Sequence, residues 1–312
     1  MRIYYAGDIH GSELCWRKFL AAADFYEADA LVLGGDLTGK ALVPIVERQP
    51  GEWHAHALGR DEHLKSDDEL AELEKRVRFN GFYPYRCSED EYRRLEADPD
   101  LRERVISLVM KHELDRWMTV ADERLADSGV RCLVMPGNDD EFGIDPIIDG
   151  AHLVENPDGK VVRIDGYQLL SSAWANPTPW DSPRELPEDE LEGMLEQLAA
   201  GLDADEPAIF NLHCPPYDSG LDMAPQLTED LRVVTKGGEQ VLVPIGSRAV
   251  RALIERHQPL VGLHGHVHES RNAARVGRTL CLNPGSAYAE GVIDGVVVDL
   301  EGDTVRHQFV QG

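Results

Sequence analysis

Ala30-Leu31-Val32-Leu33-Gly34-Gly35-Asp36 is a short apolar run that stops on two glycines and a carboxylate. An apolar run of this length without polar alternation reads as a strand buried on both faces. The glycines let the chain turn sharply where it leaves the sheet. The same grammar recurs along the chain. Residues 1–7 read as a strand and lead into Asp8-Ile9-His10, and Val130 to Met135 leads into Pro136-Gly137-Asn138-Asp139. Pro207 to Leu212 ends at His213, and Leu260 to Leu263 ends at His264-Gly265-His266-Val267-His268. Strands of this kind alternating with helices indicate βαβ units, and ligands at several strand carboxyl ends converge on one rim.

The residue types at those ends are metal ligands. Asp8 and His10, two apart, offer an oxygen and a nitrogen to one cation. Asp36 has two carboxylate oxygens and can bridge two cations. Asn138 offers a neutral amide oxygen. His213, His266 and His268 offer imidazoles, and the last two leave one strand end two apart and can turn towards different metals. A mixed oxygen and nitrogen set suits Mn, Fe, Zn, Co or Ni over Ca or Mg. Two such cations a few ångströms apart can create a nucleophile from water and neutralise a phosphate.

The second half is richer in strands. Val161 to Ile164 and Gln168 to Leu170 flank Asp165-Gly166, a hairpin signal. Thr279 to Leu282, Val296 to Leu300 and Thr304 to Val310 read as further strands, with helices around Ser12 to Ala23, Glu188 to Leu202 and Ser247 to His257. Two packed sheets with helices outside fit this count. Residues 37 to 136 separate two strand ends, far more than a crossover needs. Ser66-x-x-Glu69 and Ser88-x-x-Glu91 are capping boxes, and Asp98-Pro99 is a cap and first-turn pair. The pattern predicts a helical insertion over about 40–112 and a crossover helix over 113–127. Phe79, Phe82, Tyr83 and Tyr85 form an aromatic cluster in the insertion, with packing on the parent domain, a lid or a homo-oligomer contact as its readings.

Composition narrows the partners. The chain of 312 residues is 42% hydrophobic and carries a formal net charge of −26. Such a surface repels polyanions, which argues against nucleic acid and anionic membrane but not against a small phosphoester held at two cations. No apolar run approaches the ~20 residues of a membrane span. The start runs straight into a strand and a ligand, so it reads as no signal peptide, and the expected location is cytoplasmic. The five cysteines, including Cys214 beside His213, show no zinc or redox spacing and read as reduced thiols. His54, His56 and His63 could form an extra metal site but read first as solvated insertion surface, and Arg271 and Lys236 as candidate phosphate contacts or ordinary surface.

The series Asp-x-His, Gly-Asp, Gly-Asn, His and Gly-His-x-His resembles the calcineurin-like metallophosphoesterase superfamily. Leu263 to Ser270, Gly277 to Leu280 and Asn283-Pro284-Gly285-Ser286 are similar to a branch of phosphoesterases related to bacterial cyclic-nucleotide phosphodiesterase. The resemblance covers most of the chain apart from the insertion, and it rests on all five motifs in order. It implies an α/β (α+β) four-layer α-β-β-α sandwich, here one domain over 1–312. It implies one metal on Asp8, His10, Asp36 and His268, and another on Asp36, Asn138, His213 and His266. It also implies a bridging water or hydroxide that attacks phosphorus in line with the leaving oxygen.

One position departs from the family. A His usually follows the Gly-Asn pair and serves the leaving group, whereas this chain has Asp139. An Asp beside two cations is ionised and donates protons poorly. Asn138 and Asp139 are therefore the candidate catalytic positions, and diesters, or esters with a stable leaving group, are expected over alkyl monoesters. Asp139 could also meet a metal's water shell or orient a substrate hydroxyl. The expected function is a phosphodiesterase on a small soluble substrate, manganese serving in vitro. The alternatives are a nucleotide or protein monoesterase, a nuclease, and a non-catalytic metal-binding scaffold.

Overall fold

A computed structural model describes residues 1–312. The chain opens with β1 (Arg2–Ala6), α1 (Glu13–Phe25) and β2 (Ala30–Gly34). It continues through β3 (Ala41–Gln49), β4 (Glu52–Ala57), β5 (Arg60–Leu64), α2 (Asp67–Phe79), β6 (Phe82–Ser88) and α3 (Glu89–Ala97). Next come α4 (Pro99–Leu125), β7 (Arg131–Met135), α5 (Asp145–Asp149), β8 (Val154–Glu155), β9 (Lys160–Ile164) and β10 (Tyr167–Ser172). The second half holds α6 (Glu188–Ala199), β11 (Ala208–Leu212), β12 (Met223–Pro225), β13 (Thr235–Lys236), β14 (Glu239–Gln240), β15 (Leu242–Pro244) and α7 (Arg248–His257). It ends with β16 (Val261–Leu263), β17 (Asn272–Val276), β18 (Thr279–Asn283), β19 (Asp294–Glu301) and β20 (Thr304–Gln311).

Two six-stranded sheets dominate, ordered β20-β19-β1-β2-β7-β8 and β17-β18-β16-β11-β10-β9. In the first, β1, β2 and β7 run parallel, with Tyr5 opposite Val32 and Val32 opposite Leu133. In the second, β10, β11, β16 and β18 run parallel. Strand side chains alternate between faces, and the burial follows suit. Tyr4, Leu31, Leu33 and Val134 pack with Trp16 and Phe19 of α1 and Leu114 and Trp117 of α4. Ile3, Tyr5, Val32 and Leu133 pack instead with Leu169, Ile209, Leu263 and Leu282 of the other sheet. The far face of that sheet, with Leu170, Phe210 and Leu212, packs on Leu191 of α6 and Leu253 and Ile254 of α7. The result is a mixed α/β architecture consistent with a multilayer sandwich. No helix is long and apolar enough to cross a membrane.

The segment expected to be a helical insertion is mixed. It holds a four-stranded sheet ordered β5-β4-β3-β6, with α2 packed against it through Leu70, Leu73 and Val77. Val43 and Ile45, and likewise Ala55 and Ala57, place small and branched side chains on the face toward α2, which is a period-2 pattern. Both capping-box serines do start helices: Ser66 accepts from Glu69 N and Ser88 from Glu91 N. The boundary at 112 is also corrected. Nothing between residues 100 and 125 breaks a helix, so α4 runs unbroken from its Asp98 cap to Leu125. Of the aromatic cluster, Tyr83 is buried in the core beside α1 and α4, and its hydroxyl accepts a hydrogen bond from Gly39 N at 2.8 Å.

Candidate metal centre

The candidate ligand residues leave their strands by abrupt turns. Asp8, His10, Asp36 and His266 have φ of 54°, 40°, 51° and 67°. This left-handed conformation is uncommon outside glycine, and Asp and His are among the side chains that tolerate it best. Several such residues in one place mark a constrained site. Each turn is held by its neighbours. Asp8 N donates to Gly35 O at 2.9 Å, His10 N to Asp36 O at 3.0 Å and Gly11 N to Leu37 O at 2.8 Å. The two turns are thus zipped together. The insertion is fastened to the same place, because a Cβ on Gly81 would lie 2.5 Å from His10 O and one on Gly39 would collide with Gly81 O.

All seven residues expected as ligands come together. Asp8, His10 and His268 form one cluster, and Asp36, His213 and His266 a second. In the first, the Nε2 atoms of His10 and His268 are 3.1 Å apart, and His268 Nε2 lies 3.6 Å from Asp8 Oδ1. In the second, Asn138 Oδ1 is 3.0 Å from His213 Nε2 and 2.9 Å from His266 Nδ1. Asp36 joins them: Oδ2 is 3.6 Å from His10 Nε2, and Oδ1 is 3.4 Å from His213 Nε2. The two oxygens of one carboxylate therefore face two clusters.

The tautomer of His213 is fixed from behind, since Nδ1 donates to Gly34 O at 2.8 Å and Nε2 is left for the site. Burial works to lower the His213 pKa, but the charge and hydrogen bond of Asp36, with Asp8 adding, outweigh it and raise the group to about 10. Burial and the neighbouring His213 lower His266 to about 4. Burial would raise Asp36 and Asp8, yet His213 and His268 respectively hold both carboxylates below their usual range. Two anionic carboxylates, an amide oxygen and four imidazoles converging at these distances suit two borderline cations. The donor set fits a dinuclear divalent-metal site.

Around the ligands lies a frame that the sequence alone did not disclose. Asp140 is fully buried and accepts from Leu37 N, Thr38 N and Gly137 N at 2.9, 2.9 and 2.8 Å, and from the Thr38 hydroxyl at 2.5 Å. It ties the Asp36 turn to the Asn138 turn. Arg184, 2% exposed, reaches Asp145 at 2.7 Å and donates to the Asp140 carbonyl at 3.1 Å, while its own N donates to Asn138 O. Arg184 belongs to no strand-end motif, and Asp140, although it follows Asn138 and Asp139, has nothing local to mark it as the carboxylate that turns inward. Asn283 and Ser286 brace the same loops through their backbone carbonyls. The Asn283 amide donates to the Leu221, Gly265 and Val267 carbonyls, and the Ser286 hydroxyl donates to Asp8 O at 2.7 Å.

Other candidates lie apart. His264 is buried, with Nδ1 donating to Leu212 O at 2.8 Å. The buried Cys214 thiol donates to Asn176 Oδ1 at 3.0 Å and joins neither cluster. Arg271 is paired with Asp294 at 2.7 Å, and Lys236 sits on the exposed hairpin of β13 and β14. His54 and His63 meet edge to face across β4 and β5 and belong to neither ligand cluster. Asp139 is at the rim: its N donates to Asp36 Oδ1 at 3.1 Å, and its carboxylate pairs with Lys40 and accepts from the Ser182 hydroxyl at 3.0 Å. Tyr288 covers the first cluster, its ring centroid 4.8 Å from that of His10. A cavity of about 630 Å³ lies around Pro207 and Leu260, where β11 and β16 begin, and is lined by none of the candidate ligands.

No family model matches the chain. An uncharacterized protein of Methanocaldococcus jannaschii, MJ1162, is 28% identical over 166 residues, covering 52% of this chain and 68% of its own. The crystal structure of TT1561 of Thermus thermophilus superposes with a TM-score of 0.56 at 16% identity, over 98% of this chain and 97% of that one. A second crystal structure gives 0.55 at 15% identity, over 98% of each. At these identities the likeness concerns the fold alone. The fold so shared carries, in this chain, two adjacent clusters of side chains consistent with a dinuclear divalent-metal site.

Proposed function

We propose that this chain is a dinuclear metal-dependent phosphoester hydrolase, acting as a phosphodiesterase on a small soluble substrate, in the branch related to cyclic-nucleotide phosphodiesterase. We read residues 1–312 as one four-layer α-β-β-α domain with its insertion between β2 and α4. The observation that carries the reading is Asp36, whose two oxygens face two separate clusters. Asp8, His10, Asp36 and His268 would hold one ion, and Asp36, Asn138, His213 and His266 the other; Mn, Fe, Zn, Co and Ni suit these donors. When bound, the pair supplies Lewis acidity that acidifies water and neutralises phosphate charge.

The chain's own groups define the rest of the chemistry. Asn138 contributes a ligand without adding negative charge, which keeps the site net cationic toward an anion. Asp8 accepts from His266 N at 2.9 Å and so fixes the turn that presents His266 and His268. Asp139, paired with Lys40, is placed as an acceptor and not as a proton donor. That favours diesters and stable leaving groups over alkyl monoesters. The −26 charge favours small substrates over polyanions. A panel of phosphate esters assayed with Mn²⁺, beside an Asp36→Ala variant, tests the proposal. Hydrolysis of bis(4-nitrophenyl) phosphate with a higher kcat/KM than glycerol phosphate, lost in the variant, is expected. Equal activity of the variant would refute the metal-dependent reading, and a preference for glycerol phosphate would refute the diester reading.

A further inference from the structure

The geometry points to Lys40 as a substrate-contacting residue, a cation held by Asp139 over the phosphoryl site to stabilise charge on the leaving oxygen. This rests on the hydrolase reading above. Three observations converge on it. Asp139 stands where the resemblance leads one to expect a histidine serving the leaving group, and as a carboxylate it cannot supply positive charge. Its backbone N donates to Asp36 Oδ1 at 3.1 Å, so it sits beside the carboxylate that faces both clusters. Its side chain accepts from Lys40 and from Ser182, which turns one face of the pair toward the rim.

Lys40 is not a loosely placed surface lysine. It follows Leu37, Thr38 and Gly39, whose backbone N atoms donate to Asp140 and to the Tyr83 hydroxyl at 2.9, 2.9 and 2.8 Å. Its Cα is therefore fixed relative to Asp36. The ammonium has three donors. Asp139 uses one, and the side chain is 58% exposed, so the others are open to an incoming anion. The other cations around these loops are committed elsewhere: Arg184 to Asp145, Lys111 to Glu141 and Arg271 to Asp294. A phosphate diester lying across Asp36 would bring its leaving oxygen toward the rim, where an ammonium donor strengthens as the bond to phosphorus breaks. Lys40 thereby softens the penalty that loss of the histidine places on poorer leaving groups. The favoured substrates include aryl and alkyl diesters and not only nitrophenyl esters.

The test uses the Mn²⁺-loaded full chain, with Lys40→Gln, Lys40→Arg, Asp139→Asn and the Lys40→Gln/Asp139→Asn double variant. The substrates are methyl aryl phosphate diesters whose phenols range from strongly to weakly acidic. Lys40→Gln should lose less than about tenfold in kcat on the nitrophenyl ester but about 100-fold on the phenyl ester, the scale of one lost oxyanion donor. Lys40→Arg should recover most of it. If Asp139 works by holding Lys40, the double variant falls no further than Lys40→Gln. A loss of equal size across the series, or a change in KM alone, would overturn the proposal. A second readout separates it from the hydrolase reading: calorimetric binding of inorganic phosphate. Lys40→Gln at unchanged manganese content should bind phosphate about tenfold more weakly, the worth of one charge-assisted hydrogen bond. Unchanged phosphate affinity overturns the role of Lys40 even if no ester is turned over, whereas weakened phosphate binding without any hydrolysis by the unmodified chain overturns the hydrolase reading alone.

Discussion

Replacing Asp140 by alanine should separate the two turns that carry Asp36 and Asn138. The carboxylate accepts from three backbone N–H groups and one hydroxyl, all buried. The Thr38 hydroxyl can rotate to another acceptor, but the N–H groups of Leu37, Thr38 and Gly137 cannot. Each orphaned buried donor costs about 1–3 kcal/mol. A water entering the vacated space offsets part of the sum, so the lower end applies, about 3–5 kcal/mol in total. For a chain of this size that corresponds to a fall in Tm of about 5–8 °C. Scanning calorimetry on the metal-free protein reads it directly. The same variant should also lose most of the thermal stabilisation that Mn²⁺ gives, because the ligands no longer share a rigid frame. Thr38→Val removes only the hydroxyl and should cost about 1 kcal/mol. If Asp140→Ala lowers Tm by less than about 2 °C and keeps its Mn²⁺ response, the frame argument is wrong.

Further outcomes follow from the same geometry. Gly81→Ala adds a Cβ 2.5 Å from His10 O at a φ of 81°, so it should destabilise by about 1–2 kcal/mol and weaken metal binding at the His10 cluster before the His213 cluster, as titration calorimetry would show. Arg184→Met leaves Asp145 and Asp158 without their buried partner and should cost about 3 kcal/mol in urea unfolding; an effect below about 1 kcal/mol would remove Arg184 from the frame. Metal uptake should release a proton near neutral pH. His213, raised to about 10, is protonated in the metal-free chain and must lose that proton to ligate. A raised pKa stabilises the metal-free fold fully below the ordinary histidine range, and that contribution is lost as pH rises through about 10. Apparent metal affinity should accordingly rise by about tenfold per pH unit from 7 to 8, and a pH-independent affinity in weak buffer would contradict it.

The candidate ligand positions were legible as an ordered set, because each lies just past an apolar strand and no one of them would have carried the reading alone. The framing residues were not. Asp140 is the last of Asn138-Asp139-Asp140, and nothing local distinguishes the carboxylate that turns inward from the one that faces the rim. The insertion shows a second failure of local reading. Its helices announced themselves through capping boxes at Ser66 and Ser88, which are short-range signals. Its strands did not: Trp53-His54-Ala55-His56-Ala57 alternates, but its inward residues are two alanines, and β3 contains Pro44. A small sheet backed by α2 buries enough through Leu70, Leu73 and Val77 to override weak strand propensity. The misplaced helix boundary at 112 has a similar origin, since no glycine or proline divides α4 and only tertiary contact shows where the crossover begins.

Anomalous diffraction at the manganese edge, from crystals soaked in Mn²⁺, reaches the central claim most directly. Two peaks should flank Asp36, one among Asp8, His10 and His268 and the other among Asn138, His213 and His266, with a carboxylate oxygen on each. A lone ion, or a pair that leaves Asp36 untouched, would contradict the shared-carboxylate centre from which the hydrolytic reading is built.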